Sequence, residues 1–414
     1  MKFKLTKGER RWALYDVGNS VFSLLTSTIL PIYFHFLAEE LGGVSPVDSL
    51  AYWGYASAAA TLLVALLGPA LGRFFDRSSK ARALFGGAVL IGAICCLSLG
   101  LVRGWFAFLI VFVLARIAYS ISLIFYDAML SRVTDESRMD DVSAQGFAWG
   151  YIGSCVPFVL CLGIVLFAEP LGLSMLTAMT LAFSVGAVWW LLFSLPLLGK
   201  SSPLIWEKCH KIKNEGIGIL ETLKTIGKNK KILFFLFSFF FYIDGVYTII
   251  DMATAYGSAL GLDQTGLLLA FLVTQLVAFP CSAAFGRLSH AFSTERLLSV
   301  CIAAYFGISV MGVFMTTQLH FWLLAAAVGM FQGGIQALSR SYFAKIVPAG
   351  HSGEYFGIYD IFGKGASFTG TAAMSAVSQL TGSLGLGLLP IALFFAVGLT
   401  LFLASAKKKS CRSQ

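Results

Sequence analysis

Long apolar blocks alternate with short polar segments along the whole chain. A helix of about 20 apolar residues is long enough to cross the hydrocarbon core of a bilayer. The blocks predict twelve membrane-spanning helices, at residues 11–38, 51–71, 83–102, 105–130, 143–168, 173–197, 231–258, 264–285, 296–317, 320–343, 354–379 and 385–405. The predicted fold class is therefore an all-α membrane protein with twelve transmembrane helices.

The composition agrees with this pattern, because 57% of the 414 residues are hydrophobic and only 12% are charged. Soluble domains carry about 25% charged residues. The net charge of +9 comes from basic residues in the short segments between the blocks. No basic surface interleaved with aromatic residues is evident, so nucleic acid is not a predicted partner.

The positions of lysine and arginine predict the topology. With Arg340 and Lys345 taken as closing the tenth span, 27 of the 30 basic residues fall on the side of the two termini. Arg103 falls on the opposite side, and Arg116 and Lys364 lie within spans. Because basic loops stay on the cytoplasmic side, both termini are expected in the cytoplasm of a multi-pass protein, and we expect a bacterial plasma membrane.

A long basic segment divides the chain. It predicts a first six-helix bundle over residues 1–197, a linker over 198–230, a second bundle over 231–406 and a basic tail over 407–414. The linker places Trp206, Ile212, Ile219 and Leu223 among lysines. It is either an amphipathic helix on the inner membrane surface or a plain connection.

The two halves also resemble each other in sequence. GRFFDRSSKARAL, from Gly72 to Leu84, matches GRLSHAFSTERLL, from Gly286 to Leu298, at an offset of 214 residues. LYDVGNS in the first span and YIDGVYT in the seventh place Asp16 opposite Asp244. Repeats of this kind predict two pseudo-symmetric bundles with a site between them.

Seven charged residues lie inside the predicted spans: Asp16, Arg116, Asp127, Asp244, Asp251, Asp360 and Lys364. Each costs about 2.5–3.5 kcal/mol when it faces lipid at a helix centre, so we expect them to face the protein interior or a cavity. Five acids meet two bases, so at least three acids must be protonated, hydrated or hydrogen-bonded. Such a carboxyl is suited either to carry a proton or to brace the helices.

Further side chains are candidates for substrate contacts. Arg116 is suited to bind a substrate carboxylate, since a guanidinium binds carboxylates in a bidentate manner, or else it pairs with a neighbouring acid. Asp360 and Lys364 are four residues apart and form either a structural pair or a site where substrate or proton competes for that pair. Asn19, Tyr126, Gln332 and Gln336 are candidates for lining a substrate cavity, although buried glutamines also join helices.

Several motifs resemble a known family. Twelve spans, the central segment and the GxxxDRxxK pattern of Gly72–Lys80 look like the major facilitator superfamily. Gly333–Ser367, Trp12–Ser20, Tyr242–Ile250 and Ser143–Gly153 resemble the vacuolar amino-acid effluxers. The resemblance implies a secondary transporter that works by alternating access, with Asp76 bracing a gate. The gate residues implied are Gly72, Asp76, Arg77, Gly286 and Arg287, and His290 stands at the position equivalent to Asp76.

The leading prediction is a secondary active transporter of a small organic solute, such as an amino acid, coupled to protons. Two alternatives stay open: a non-transporting solute sensor on the same fold, and a transporter of lipids or hydrophobic drugs. An enzyme is not predicted, because the five histidines are scattered and no GxxxxGK[ST] loop is present. The eight cysteines show no CxxC or Cys/His spacing, so no metal, cofactor or disulfide is expected, and the predicted assembly is a monomer.

Overall fold

The computed structural model describes residues 3–78, 80–199, 206, 219–348 and 350–407. Twelve long helices dominate it. They are α1 (Lys7–Ser27), α2 (Pro46–Arg77), α3 (Ala81–Leu99), α4 (Trp105–Val133), α5 (Met139–Leu166), α6 (Met175–Leu198), α7 (Lys230–Ala259), α8 (Gln264–Leu288), α9 (Thr294–Val313), α10 (Gln318–Ile346), α11 (Ser352–Thr381) and α12 (Leu389–Lys407).

Short helical segments complete the path of the chain. After Ser27 the first span continues through a helix at Ile29–His35 and a π-helical segment at Phe36–Leu41. Single 3₁₀ turns at Glu136–Arg138 and Leu386–Leu388 precede α5 and α12. Within the predicted linker, residues 200–205 and 207–218 lie outside the described residues, as does the tail after Lys407. The described part of the linker contains Trp206 and a helix at Ile219–Lys228.

Eleven of the described helical segments are long and apolar enough to cross a membrane. The remaining long helix, α11, has 30 residues and would extend about 45 Å, which is ample for a crossing. Its composition is more polar because it packs against α2, α4, α7 and α12, so protein rather than lipid covers much of it. The predicted twelve spans thus correspond to the twelve long helices.

The helices pack as two groups of six. In the first group α1 packs on α5 and α6, α3 on α4 and α6, and α2 on α4. In the second group α7 packs on α11 and α12, α8 on α10, and α9 on α10 and α12. The most extensive contacts between the groups are those of α2 with α11 and of α5 with α8, and these helix pairs occupy equivalent places in the two halves. Helix α10 also contacts α5 and α4, and α11 contacts α4.

Glycines allow the closest approach between the two groups. A Cβ atom on Gly72 would lie 2.0 Å from the carbonyl oxygen of Gly353, and one on Gly353 would lie 2.3 Å from that of Gly72. One turn further, a Cβ atom on Gly357 would lie 2.7 Å from the carbonyl oxygen of Gly68. Only glycine permits such backbone contact, so these positions hold α2 against α11. The contact lies near the membrane side at which α1 begins and α12 ends, which we call the terminal face.

Replacing Gly353 by valine is expected to separate α2 from α11 at the terminal face, because the new Cβ has no space. Ser131 and Ser352 lie across this contact with their hydroxyl oxygens 3.3 Å apart. Cysteines at these two positions, in a chain whose native cysteines are replaced by alanine, would measure closure through a short bifunctional thiol reagent. We expect Gly353→Val to reduce cross-linking at least fivefold. Gly307→Val is the matched control, since nothing lies within 4 Å of a Cβ there. Equal cross-linking in both variants would contradict the conclusion that Gly353 holds α2 against α11.

Candidate functional site

A single arginine of the second bundle binds three helices of the first bundle. Arg340 lies six residues before the end of α10 and is 3% exposed. Its guanidinium lies 3.1 Å from Asp127 on α4 and 3.6 Å from Asp16 on α1. It also donates to Ser143 on α5, to the hydroxyl at 2.9 Å and to the backbone carbonyl at 3.0 Å. Two acids and one base therefore share a buried site between the bundles.

Aromatic rings surround this arginine. The guanidinium carbon lies 4.3 Å from the ring centre of Phe147, 4.7 Å from that of Trp12 and 5.3 Å from that of Tyr126. Cation–π contacts of this kind gain strength where water is excluded. Trp12 stacks on Tyr126 with a centroid separation of 4.4 Å. The rings therefore hold the positive charge at one place in the interface.

Asp16 is also bound by its own bundle. The Tyr126 hydroxyl donates to it at 2.6 Å, and the Asn19 amide donates to it at 3.3 Å. The structure thus brings Asp16, Asn19, Tyr126 and Asp127 together. Setting Arg340 aside as a charge that closes the tenth span missed its contacts, because its side chain lies between the bundles, six residues before α10 ends at Ile346.

The predicted gate residue Asp76 joins α2 to the start of α11. Its carboxylate accepts from the backbone N–H groups of Gly353 at 3.0 Å and Glu354 at 3.1 Å, and it pairs with Arg132. A carboxylate is favoured at a helix N-terminus, where free N–H groups and the helix dipole are both positive. Arg73 pairs with Glu354 at 2.8 Å and adds a second bond across the interface. Arg77, also predicted for the gate, is exposed.

The equivalent contact in the other half uses different chemistry. His290 follows α8 and lies with its Nε2 atom 2.6 Å from the carboxylate of Asp141 at the start of α5. Gly286 packs against Ala144 and Asp141, whereas Arg287 is exposed. The neighbouring Asp140 accepts from three side chains of the second bundle: Thr294 at 2.7 Å, Ser341 at 2.5 Å and Lys345 at 2.6 Å. Asp140 and Asp141 precede the predicted span 143–168, so the search for charges within spans missed them.

Asp244 is buried within the second bundle, between α7 and α11. One carboxylate oxygen accepts from the backbone N–H of Gly370 at 3.0 Å and from the Thr248 hydroxyl at 3.2 Å. The other oxygen, Oδ2, is buried with no hydrogen-bond partner among the described residues. Gly370 is required here, because a Cβ on it would lie 2.5 Å from the carboxylate.

Asp251 lies seven residues after Asp244 on α7 but is exposed. The charge of Arg116, half-buried on α4 of the first bundle, acts on it electrostatically. Asp360, half-buried on α11, has the opposite effect on Asp127, because two carboxylates repel each other. The side chain of Lys364 lies outside the described residues, so the predicted pairing of Asp360 with Lys364 stays a prediction.

The two candidate glutamines of α10 have different surroundings. Gln336 accepts a hydrogen bond of 2.7 Å from the Tyr151 hydroxyl on α5, which again joins the bundles. Gln332 is buried and lines a cavity inside the second bundle. Gln332 also forms a side-chain hydrogen bond with Tyr151, so both glutamines join helices of the two bundles, as buried glutamines often do.

Two six-helix bundles with charged side chains meeting between them define a transporter of the major facilitator superfamily. The transporter FucP of E. coli, solved in its outward conformation, has the same fold. It superposes with a TM-score of 0.74 over 97% of this chain and 98% of that one, at 12% sequence identity. The predicted all-α membrane fold with twelve helices in two bundles is thereby confirmed.

Within the superfamily, the chain belongs to the family described as vacuole effluxer Atg22 like, which matches residues 131–414. It is 40% identical to the uncharacterized MFS-type transporter YxiO of Bacillus subtilis over 97% of this chain and 95% of that protein. It is 28% identical to autophagy-related protein 22 of Cryptococcus neoformans over 64% of this chain and 49% of that one. The protein is therefore an integral membrane transporter of a small molecule and not an enzyme.

Proposed function

We propose that the protein is a proton-coupled secondary transporter that moves a small zwitterionic solute, of the amino-acid class, by alternating access. The observation that carries the proposal is the Asp244 carboxyl, which is buried in the second bundle and has no ion-pair partner among the described residues. The solute class is supported by Arg116 and Asp251, which carry opposite charges on opposite bundles.

The surroundings of Asp244 are suited to binding a proton. An ionised carboxylate is costly to bury unless a cation or several donors compensate it. Asp244 has two donors on Oδ1, and its Oδ2 atom has none among the described residues. A proton on Oδ2 removes the charge and leaves both hydrogen bonds to Oδ1 intact. Asp244 can thus hold a proton in one state and release it when water reaches it in another.

Arg116 and Asp251 have opposite charges and come from opposite bundles. Both are at least partly exposed, so a solute that enters between the bundles can reach them. A guanidinium binds a carboxylate and a carboxylate binds an ammonium group, so the pair is complementary to a zwitterion. A solute that binds both residues would bring the bundles together, as alternating access requires.

We assign the terminal face to the cytoplasm on the distribution of lysine and arginine. The similarity to YxiO of Bacillus subtilis supports a bacterial plasma membrane. The bonds of Asp76, Asp140 and Arg340 between the bundles cluster in the half nearest this face. We therefore interpret the structure as the state that is closed towards the cytoplasm. Release of these bonds would open the opposite state.

Proton flux in proteoliposomes that contain a pH-sensitive dye tests the proposal. A panel of amino acids is offered beside matched amines and carboxylic acids that each lack one of the two charges. We expect flux only with a zwitterion, and we expect Arg116→Gln to weaken apparent solute affinity about 10- to 100-fold, the value of a hydrogen bond to a charged group. Arg103→Gln, an exposed arginine near the end of α3, is the control. Labelled-solute exchange without proton flux would contradict coupling, and the absence of both would contradict the solute class.

A further inference from the structure

The second bundle contains a partly open cavity of about 110 Å³ between α7, α8, α9, α10 and α11. Most of its wall is apolar and includes the side chains of Met252, Phe271, Met315, Phe321, Val328 and Met374. An apolar cavity of about 150 Å³ accommodates benzene. The space therefore fits an aliphatic or aromatic group of about four to six carbon atoms.

Two buried glutamines give the cavity a polar character that packing does not explain. Gln275 on α8 is 7% exposed and Gln332 on α10 is 6% exposed, and both line the wall. The Oε1 atom of each has no hydrogen-bond partner among the described residues. Buried polar atoms are nearly always paired, so two such amide groups on facing helices indicate that a partner is supplied from within the cavity.

The rest of the wall narrows the chemistry of that partner. The described residues that line the cavity include no acid, lysine, arginine or histidine, so they offer no counter-ion to a net charge. The unpaired glutamine oxygens are acceptors and need an N–H or O–H donor. The occupant that fits is thus a small apolar molecule, or the apolar part of one, with a neutral donor such as a hydroxyl or amide.

One residue connects this cavity to Asp244. Thr248 lines the cavity, and its hydroxyl donates to the Asp244 carboxylate at 3.2 Å. Met374 lies one turn after Gly370, which binds the same carboxylate, and also lines the cavity. An occupant that engages the Thr248 hydroxyl therefore alters the hydrogen bonding of Asp244 directly.

We propose that this cavity is a ligand site inside the second bundle for a small apolar molecule with one hydroxyl or amide donor, recognised by Gln275 and Gln332. The site does not include Arg116 or Asp251. The proposal therefore holds whether or not the transported solute is an amino acid. Through Thr248 its occupation is linked to Asp244. The site is thus placed to make proton binding depend on the ligand.

Photolabelling of the purified full-length protein tests the site without any transport measurement. The probe is a six-carbon alcohol that carries an alkyl diazirine, and its methyl ether is the matched probe without a donor. We expect the alcohol to label cavity residues such as Met252 and Phe321 saturably, with competition by excess cyclohexanol. The ether should label the same residues roughly tenfold less, because it cannot donate to the glutamines.

Variants define the outcome further. Ala253→Leu places a larger side chain at the cavity wall and should abolish labelling, whereas Ala284→Leu, an exposed position on α8, should not change it. Replacing Gln275 and Gln332 together by leucine should reduce the preference for the alcohol below twofold, which keeps the test valid if Ala253→Leu does not fold. Equal labelling by alcohol and ether in the native chain, or labelling confined to lipid-facing residues, would overturn the proposal.

Discussion

Replacing Asp244 by asparagine is expected to abolish accumulation of solute driven by a pH gradient, while exchange of labelled solute continues within about twofold. Asparagine has the shape of the carboxyl group. Its Oδ1 atom can keep the bonds from Gly370 and Thr248. Its amide nitrogen takes the place of Oδ2, the oxygen that we propose is protonated. The variant therefore imitates the proton-loaded protein, which can move solute but cannot release a proton.

The measurement compares two experiments on the same proteoliposomes: uptake after an imposed pH gradient, and counterflow at equal pH. We expect uptake to fall to the level of empty liposomes in Asp244→Asn. The matched control is Asp251→Asn, the same substitution on the exposed acid seven residues later. That variant should retain coupling but need a higher solute concentration. Accumulation that persists in Asp244→Asn would assign Asp244 a structural role and leave Asp127 and Asp360 as candidates.

Replacing Arg340 by glutamine is expected to disfavour the state closed at the terminal face. The substitution leaves Asp16 and Asp127 in a buried interface without the cation that both contact. Removing one partner of a buried ion pair costs about 3–5 kcal/mol. Since the two bundles separate here when the face opens, much of this cost falls on the closed state alone. A bias of about 3 kcal/mol changes the ratio of the two states more than 100-fold.

The cysteine pair at positions 131 and 352 measures this bias. We expect cross-linking in Arg340→Gln to fall at least tenfold, and Asp127→Asn in the same chain to restore part of it, because one uncompensated charge is then removed. Arg340→Lys keeps the charge but not the set of bonds to Ser143 and Asp127. Its cross-linking should therefore lie between that of the native arginine and that of Arg340→Gln. A double-mutant cycle over Arg340→Gln and Asp127→Asn separates the interaction energy of this pair from the other effects of each substitution. Unchanged cross-linking in Arg340→Gln would show that Arg340 stabilises both states equally.

The sequence determined the number of helices, their approximate limits and the division into two halves. In lipid each helix must satisfy its own backbone hydrogen bonds, so a local apolar run decides a span without reference to its neighbours. The same reasoning identified Asp16 and Asp244, because a charge in such a run is costly wherever the helix packs. The Gly72–Lys80 motif likewise identified Asp76 as a residue between the bundles, on the strength of its family resemblance.

The tertiary structure decided the partners. Asp16 and Asp127 meet Arg340, which lies more than 200 residues further along the chain, and only the packing of α1, α4 and α10 brings them together. Asp244 has no cation beside it among the described residues for the same kind of reason, since packing places the backbone of Gly370 on α11 against it, next to Thr248 of its own helix. Local sequence sets the cost of burying a charge, whereas contacts between distant helices decide whether that charge is paired, shared or left to bind a proton. The cavity beside Gln275 and Gln332 exists only as a space between helices, so no single segment of the sequence encodes it.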